Sequence, residues 1–241
     1  MRQLNQNRAL VLFSGGQDSS IALAWALQQF DSVETIGFAY GQRHKVELDA
    51  RQNLRQILIQ HDPDWKQRLG PDHIVDLAGF GEISETALTR DTEIVMTEAG
   101  LPNTFVPGRN LVFLSVAAGL AYRRDIAVLV AGMCEEDATG YPDCRADTLK
   151  AQLGALRLGL DADMRLETPV LHITKAQSWA FAQTLGGTRL VDAIRINSHT
   201  CYKGVRDVHA WGAGCGACPA CQLRAEGWQA YVSALSPMDL D

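Results

Sequence analysis

The chain has 241 residues, of which 46% are hydrophobic and 21% are charged, and it carries a formal net charge of -6. This length suffices for one α/β domain with a small appendage. The acidic balance argues against nucleic acid as a partner, because nucleic-acid binding draws on clustered Lys and Arg. No apolar run reaches the roughly 18 residues of a membrane helix, and the first residues lack the apolar core of a signal peptide. We therefore expect a soluble, cytoplasmic protein whose cysteines stay reduced.

Segments typical of strands and of helices alternate along most of the chain. Short apolar or β-branched runs predict strands at 8–13, 32–40, 72–79, 125–132 and 164–171. Apolar residues at helical spacing predict one helix directly after the first strand and others at 45–60, 147–160 and 174–185. A further segment, 110–124, is apolar on nearly all sides, which predicts a buried helix. This alternation predicts an α/β fold with a doubly wound, mostly parallel five-stranded sheet. After about residue 197 the composition shifts to Gly, Cys, His and Trp. We therefore predict a domain over 1–197 and a metal-binding segment over 198–241.

The sequence SGGQDSS, residues 14–20, follows the first predicted strand and opens the first predicted helix. Ligands of open parallel sheets bind outside the carboxyl ends of the strands, where this loop is expected. Gly15 and Gly16 allow backbone N–H groups to approach phosphate oxygens closely, and the positive end of the helix favours anions. Taken alone, SGG is more typical of a tight turn with a helix cap. The P-loop lysine motif G-x-x-x-x-G-K-[ST] is absent from the sequence.

Three polar stretches are predicted to lie at the same edge of the sheet: YGQRHKVEL at 40–48, LPNTFVPGRNLVFL at 101–114 and GYPDCR at 140–145. Arg109 suits a carboxylate or phosphate because its planar guanidinium donates two parallel hydrogen bonds. Asn110 can donate and accept hydrogen bonds, as the edge of a purine-like ring requires. Simple loop shaping, or pairing of Arg109 with an acidic neighbour, is the alternative interpretation.

Other polar residues near these stretches are more ambiguous. Asp143 and Arg145 are candidates to contact a substrate from two sides. His44 and Glu47 are three apart at a helix start, which is more typical of a capping or surface pair than of a metal site. Lys175 opens a predicted helix, where it either offsets phosphate charge or is solvated.

Four cysteines lie within 21 residues near the end of the chain: Cys201, Cys215, Cys218 and Cys221. The C-x₂-C-x₂-C spacing with a fourth thiol upstream allows all four to meet around one tetrahedral ion. Such ligands bind zinc structurally, but they also hold iron–sulfur clusters. His199 and His209 lie close enough in sequence to replace one cysteine.

The loop, the three polar stretches and the four cysteines occur in an order that resembles the 7-cyano-7-deazaguanine synthase family, a group of PP-loop ATP pyrophosphatases of the queuosine pathway. The resemblance runs from about residue 8 to about residue 235. It implies that ATP is cleaved between its α- and β-phosphates and first activates the carboxylate of 7-carboxy-7-deazaguanine. Ammonia then forms the amide, and a second ATP activates the amide oxygen, whose loss leaves the nitrile. It also implies Mg²⁺ and one structural Zn²⁺.

The same resemblance implies roles for individual residues. Those expected to contact ATP are Phe13, Ser14, Gly15, Gly16, Gln17, Asp18, Ser19 and Ser20. Asp18, Ser19 and Lys175 are expected to assist the chemistry, with Asp18 orienting Mg²⁺ and capping the helix. Those expected to bind the deazapurine are His44, Arg109, Asn110, Asp143 and Arg145. The four cysteines are expected to bind zinc. The expected partners are the deazapurine and free ammonia, with no nucleic acid and no membrane, and the expected assembly is a homodimer.

Two other functions compete with this interpretation. A PP-loop enzyme of tRNA thiolation would use a pair of catalytic cysteines, for which Cys134 and Cys144 are the candidates. The acidic balance and the lack of an RNA-binding appendage disfavour it, and we expect both thiols to be inert or to line the substrate site. A zinc-dependent interaction module without enzymatic activity would leave the PP-loop unexplained.

Overall fold

The computed structural model describes residues 1–41, 46–82, 86–88, 95, 103–135 and 141–235. Its main sheet contains five strands, all parallel, in the order β3-β2-β1-β4-β5. These strands are β1 (Asn5–Leu12), β2 (Ser32–Ala39), β3 (Leu69–Asp76), β4 (Ile126–Ala131) and β5 (Arg165–Glu167). The predicted α/β class with a five-stranded parallel sheet is confirmed.

Eight α-helices occur in the described part of the chain. They are α1 (Gln17–Gln29), α2 (Val46–His61), α3 (Pro63–Arg68), α4 (Ala78–Glu82), α5 (Arg109–Arg123), α6 (Ala146–Leu160), α7 (Lys175–Asn197) and α8 (Pro219–Ala234). A short antiparallel hairpin, β6 (Val208–His209) with β7 (Gly212–Ala213), precedes α8. None of the helices described is long and apolar enough to cross a membrane.

The helices cover both faces of the sheet. The chain steps outward from β1 to β2 and β3 through α1, α2 and α3, and then returns past β1 through α5 to β4 and through α6 to β5. Because parallel crossovers are right-handed, this reversal places α5 and α6 on the face opposite α1. Accordingly, α7 packs against α1 and α2, whereas α5 packs against α6. The switch of direction falls between β1 and β4, where ligands of such sheets bind.

Several predicted boundaries differ from the structure, and two of these differences have a clear physical reason. The strand predicted at 164–171 is paired only over Arg165–Glu167, because Pro169 has no backbone N–H for a sheet ladder. The helix predicted to end at 185 reaches Asn197, but it is interrupted at Gly186 and Gly187, where the backbone is not helical. The glycine pair therefore marks a sharp reversal inside α7.

A buried carboxylate joins the amino ends of the strands, opposite the predicted site. The Glu34 side chain on β2 is 2% exposed and accepts hydrogen bonds from Arg8 at 2.8 Å and from Arg124, and it also pairs with His73 at 2.8 Å. Burial alone would raise the pKa of Glu34, but the hydrogen bonds and positive charges of Arg124 and His73 outweigh it, so the pKa is lowered. This network ties β1, β2 and β3 to the turn before β4.

The carboxyl-terminal segment packs directly against the α/β part. Helix α8 lies along α7, and Tyr231 of α8 is buried in the main hydrophobic core. A second small core surrounds Trp211 and the cysteines. The predicted division into 1–197 and 198–241 stays a prediction.

Candidate active site

A cavity of about 270 Å³ opens at the carboxyl ends of β1, β2 and β4. Its lining includes Phe13 and Ser14 after β1, Phe38 and Tyr40 at the end of β2, and Gly132 after β4. This is the crevice at the switch of strand order, where the topology of the sheet predicts a ligand. The sheet therefore places the SGGQDSS loop at one wall of a preformed cavity.

The loop between β1 and α1 is held by its own hydroxyl groups. The Ser14 and Ser19 hydroxyls are 3.0 Å apart, and Ser20 Oγ donates to the Gly16 carbonyl at 2.7 Å. Gly15 has a φ of 86°, a conformation that favours glycine. A β-carbon on Gly132 would lie 2.5 Å from the Ser19 backbone nitrogen, so the end of β4 also requires glycine there. This close packing fixes the start of α1, where the N–H groups of the first helical turn are suited to bind an anion.

Asp18 and Lys175 form a mostly buried ion pair between the first turns of α1 and α7. The Lys175 Nζ lies 2.6 Å from Asp18 Oδ2, and the side chains are 8% and 16% exposed. The other carboxylate oxygen, Asp18 Oδ1, is buried and finds no hydrogen-bond partner among the described residues. Gln17 strengthens the same junction by donating to Ser178 Oγ at 2.9 Å. The sequence placed Asp18 and Lys175 far apart, and the fold joins them beside the loop.

Aromatic rings form the apolar walls of the cavity. Phe38 and Phe113 stack with their ring centroids 4.1 Å apart and nearly parallel planes. The Arg109 guanidinium lies 6.0 Å from the ring centroid of Tyr40 and 5.6 Å from that of Tyr141. Burial alone would lower the pKa of Arg109, but Tyr40, Tyr141 and Asp143 raise it above its ordinary value. This part of the cavity thus combines flat apolar surfaces with the permanent positive charge of Arg109.

The GYPDCR and PGRN stretches meet as the sequence analysis expects. The Asn110 backbone N–H donates to Asp143 Oδ2 at 3.0 Å, and its side-chain amide donates to Cys144 Sγ at 3.2 Å. Asn110 and Cys144 line the cavity. Asp143 is buried, and its Oδ1 has no hydrogen-bond partner within the described part of the chain. Arg109 and Asn110 therefore lie together at one wall, and Asp143 lies directly behind Asn110, outside the lining.

One expected substrate residue is not brought into this group, and another lies outside the described residues. Arg145 is exposed at the start of α6 and is absent from the cavity lining. His44 lies outside the residues that the structure describes. Of the two remaining cysteines, Cys134 also lines the cavity, and its thiol donates to the Ile173 carbonyl at 3.4 Å.

Arg51 is a cavity residue that the sequence analysis missed. Its side chain on α2 is 1% exposed, and its Nε donates to the Phe13 carbonyl at 2.5 Å. Its guanidinium also binds the Asp72 carboxylate through bonds of 2.9 and 2.6 Å. A β-carbon on Gly37 would lie 2.6 Å from Arg51 Cζ, so glycine in β2 makes room for the charge. Since Arg51 lies in an ordinary amphipathic helix pattern, no sequence signal distinguished it.

The four carboxyl-terminal cysteines form a candidate metal centre. Their sulfur atoms all lie within 4.8 Å of one another, and the sulfurs of Cys215 and Cys221 are 3.9 Å apart. Metal–sulfur bonds of about 2.3 Å in a tetrahedron require sulfur separations of roughly 3.8 Å, so the arrangement fits one ion. Gly214 is required by close approach, because a β-carbon there would lie 2.6 Å from Cys221 Sγ.

Neither neighbouring histidine belongs to this group of ligands. His199 pairs through Nε2 with the Cys201 carbonyl at 2.9 Å, and His209 pairs through Nε2 with the Gly214 carbonyl at 3.0 Å. Both rings therefore donate to the backbone of the cysteine segment. The set of four thiols is complete without them.

The cysteine segment also contacts the nucleotide loop. The His199 backbone N–H donates to the Gly15 carbonyl at 3.0 Å. Arg224 of α8 is 1% exposed and holds the chain on both sides of His199, with bonds of 2.9 Å to Ser198 Oγ and 2.8 Å to Thr200 Oγ1. Burial lowers the pKa of Arg224 to about 10, which leaves it charged at neutral pH. The cysteine segment and the loop are therefore directly connected.

Fold and site together define a class: an α/β protein with a PP-loop at the switch point of a parallel sheet and a four-cysteine centre beside it. Within this class, the chain belongs to the QueC family, whose model, "Queuosine biosynthesis protein QueC", matches residues 8–232.

Several relatives match nearly the entire chain. A relative from Paraburkholderia phymatum is 57% identical over 229 residues, which are 95% of this chain and 94% of that protein. One from Methylorubrum extorquens is 61% identical over 227 residues, which are 94% of this chain and 93% of that protein. Both carry the name 7-cyano-7-deazaguanine synthase.

Among solved structures, a 4-thiouridine synthetase in complex with RNA and ATP is similar with a TM-score of 0.53 and 14% sequence identity. The match covers 94% of this chain and 54% of that one. At this identity the likeness shows the fold alone.

Proposed function

We propose that the chain is a carbon–nitrogen ligase that converts 7-carboxy-7-deazaguanine and ammonia into 7-cyano-7-deazaguanine. Two ATP molecules are consumed, and each yields AMP and pyrophosphate. Membership of the QueC family supports the overall reaction. The observation that carries the mechanism is one cavity bounded by the PP-loop, by stacked aromatic rings and by the pair Arg109 and Asn110.

The loop is suited to hold a departing pyrophosphate. Its backbone N–H groups, the hydroxyls of Ser14 and Ser19 and the positive end of α1 all favour negative charge. The Lys175 ammonium also lies beside the loop, where Asp18 holds it in position. Since the leaving group departs from the α-phosphorus, no P-loop lysine at a γ-phosphate is needed. Catalysis then consists mainly of positioning and charge stabilisation.

The opposite wall is suited to the deazapurine. Flat rings of Phe38 and Phe113 offer apolar surface to a planar ligand. Arg109 offers its guanidinium to the substrate carboxylate, which it also orients for attack. Asn110 and Asp143 offer hydrogen-bonding groups to the ring edge, and the unpaired Asp143 Oδ1 is an acceptor for an N–H group. We retain Arg145 and His44 as proposed substrate contacts that rest on the family resemblance.

Two metal ions complete the proposal. The buried, unpaired Asp18 Oδ1 is a suitable ligand for Mg²⁺, which would supply charge neutralisation at the phosphates. Cys201, Cys215, Cys218 and Cys221 would bind one Zn²⁺ with no open position, so this ion would be structural.

We further propose a cytoplasmic homodimer. A reducing compartment suits four free thiols, and the dimer rests on the family resemblance and is testable by light scattering.

The decisive experiment is incubation of metal-replete protein with ATP, Mg²⁺, ammonium and 7-carboxy-7-deazaguanine, followed by mass spectrometry. We expect the nitrile, with AMP release that depends on the deazapurine. An Asp18→Asn variant that is folded by circular dichroism serves as the inactive control. Folded wild-type protein that produces neither nitrile nor substrate-dependent AMP would refute the proposal.

A further inference from the structure

The proposed reaction requires protons to be removed from the substrate nitrogen inside the cavity. In the first half, the ammonia nitrogen forms a bond to the activated carbon, loses one proton, and AMP leaves with the carbon–oxygen electron pair. In the second half, the amide oxygen displaces pyrophosphate, the nitrogen loses its two remaining protons, and AMP leaves again to give the nitrile. All three protons of ammonia must therefore be removed from a nitrogen atom inside the cavity. This inference rests on the proposed function.

The usual proton acceptors are missing from the described lining. No Asp, Glu, His or Lys side chain is among the described residues that line the cavity. Arg51 and Arg109 are there, but guanidinium groups stay protonated in proteins. The Cys134 thiol donates to a backbone carbonyl, and Cys144 Sγ accepts from Asn110. Within the described lining, hydroxyl groups are thus the remaining candidates; Asp143 lies outside this lining and is assigned to the ring edge, and His44 lies outside the described residues.

A chain of three hydroxyls begins at the cavity wall. The Tyr141 hydroxyl donates to the Tyr202 hydroxyl at 3.1 Å, and Thr104 Oγ1 lies 2.8 Å from the Tyr141 oxygen. The rings of Tyr141 and Tyr202 both line the cavity. Thr104 is fully buried and contacts the Tyr141 hydroxyl, whereas Tyr202 is only partly buried. The chain therefore leads from the buried Tyr141 to a residue that is partly exposed.

We propose that Tyr141 and Tyr202 carry protons from the substrate nitrogen out of the cavity. The Tyr141 oxygen accepts a proton from the nitrogen while its own proton passes to Tyr202, and the Tyr202 proton passes to water. Each hydroxyl gains one proton and loses one, so neither ring is charged at the end. Tyr141 belongs to the GYPDCR stretch, and Tyr202 directly follows Cys201. The cysteine segment therefore supplies a part of the catalytic site.

The two halves of the chemistry allow a specific test. Attack of the carboxylate on ATP breaks no bond to hydrogen, so exchange of labelled pyrophosphate into ATP, without ammonia, measures activation alone. Formation of amide and nitrile after ammonia addition measures the proton-dependent steps. The variants are Tyr141→Phe and Tyr202→Phe. The matched control is Tyr231→Phe, which removes a buried-ring hydroxyl that donates to Gln183 at 3.2 Å, away from the cavity.

We expect Tyr141→Phe to keep the exchange rate and to slow the nitrogen steps about 100-fold, the lower end for proton transfer. Tyr202→Phe should slow the same steps less, because water can accept from Tyr141. Imidazole buffer should partly restore the Tyr141→Phe rate, and Tyr231→Phe should match the wild type. Unchanged nitrogen steps in Tyr141→Phe, or equal losses of exchange and nitrogen steps, would overturn the relay. Failure of the proposed function is distinguishable from failure of the relay, because in that case the wild-type protein itself makes no nitrile.

Discussion

Gly227 of α8 packs directly on the side chain of Lys175. A β-carbon at Gly227 would overlap with Lys175 Cβ and would lie 3.1 Å from the Lys175 carbonyl carbon. The helix that carries Cys221 therefore touches the lysine that pairs with Asp18. The cysteine segment and the SGGQDSS loop are thus coupled at a second point, besides the bond from His199 to Gly15.

Substitution Gly227→Ala should displace Lys175 and reduce AMP formation. A shift of about 1 Å near a reacting group can cost about 100-fold in rate. The matched control is Gly119→Ala in α5, where an added β-carbon meets nothing within 4 Å. That control should keep wild-type activity and gain about 0.5–1 kcal/mol of stability, as alanine does in helices. Equal AMP rates in the two alanine variants, both folded by thermal melting, would contradict this coupling.

The pair of Asp18 and Lys175 should be required for activity, and each partner should be costly to remove singly. Lys175→Met leaves the mostly buried Asp18 carboxylate without its partner, and breaking such pairs costs about 3–5 kcal/mol. Adding Asp18→Asn to that variant should recover part of the stability but no activity. Denaturant unfolding and AMP release measure the two effects. Lys150→Met, at an exposed position of α6, is the control that should change neither.

Elemental analysis should find one zinc ion per chain. Cys215→Ser should lower the zinc content and the melting temperature, because the ion holds a segment with little apolar core. Cys144→Ser should keep full zinc occupancy, since Cys144 is not in the four-cysteine group. Hydrogen exchange should accelerate at residues 15–20 on chelation, because His199 joins the segment to Gly15. Iron in place of zinc, with a brown absorbance, would show that the metal is assigned wrongly.

Glu34 should stabilise the fold in a manner that depends on pH. Its pKa is lowered from the ordinary glutamate value in the folded protein, so its contribution is complete above that ordinary value and is lost as pH falls through the lowered one. Glu34→Gln should cost about 3 kcal/mol at neutral pH and should flatten this acid dependence. Glu167→Gln is the control, since that half-exposed side chain lies 3.7 Å from Arg165 and should cost less than about 1 kcal/mol. Identical urea midpoints for the two variants at pH 7 would rule out this role of Glu34.

The sequence predicted the sheet well because β4 and the second half of β1 are continuous apolar runs. All six residues of β4 are buried, so this strand has no competing helical pattern. By contrast, α3 (Pro63–Arg68) was missed because it is short and only Trp65 within it is buried. The loop and the four cysteines were found because their chemistry requires fixed local spacing.

Residues that act through tertiary contacts could not be found this way. Arg51 acquires its position from the space that Gly37 leaves and from Asp72, both distant in sequence. Tyr202 follows a metal ligand, and nothing in the spacing of the cysteines shows that its ring reaches the cavity. The positions of the polar groups around a ligand are determined by the fold rather than by residues nearby in the sequence.

The reversal at Gly186 and Gly187 has a consequence for the length of α7. An uninterrupted helix of 23 residues would span about 34 Å, yet Lys175 at its start contacts Asp18 and His199 just after its end contacts Gly15. The helix is therefore a hairpin of two arms that both end at the same loop. One residue inserted in either arm would turn the remainder by about 100° and advance it by about 1.5 Å. Homologous chains are thus expected to keep both arm lengths fixed and to vary in length elsewhere.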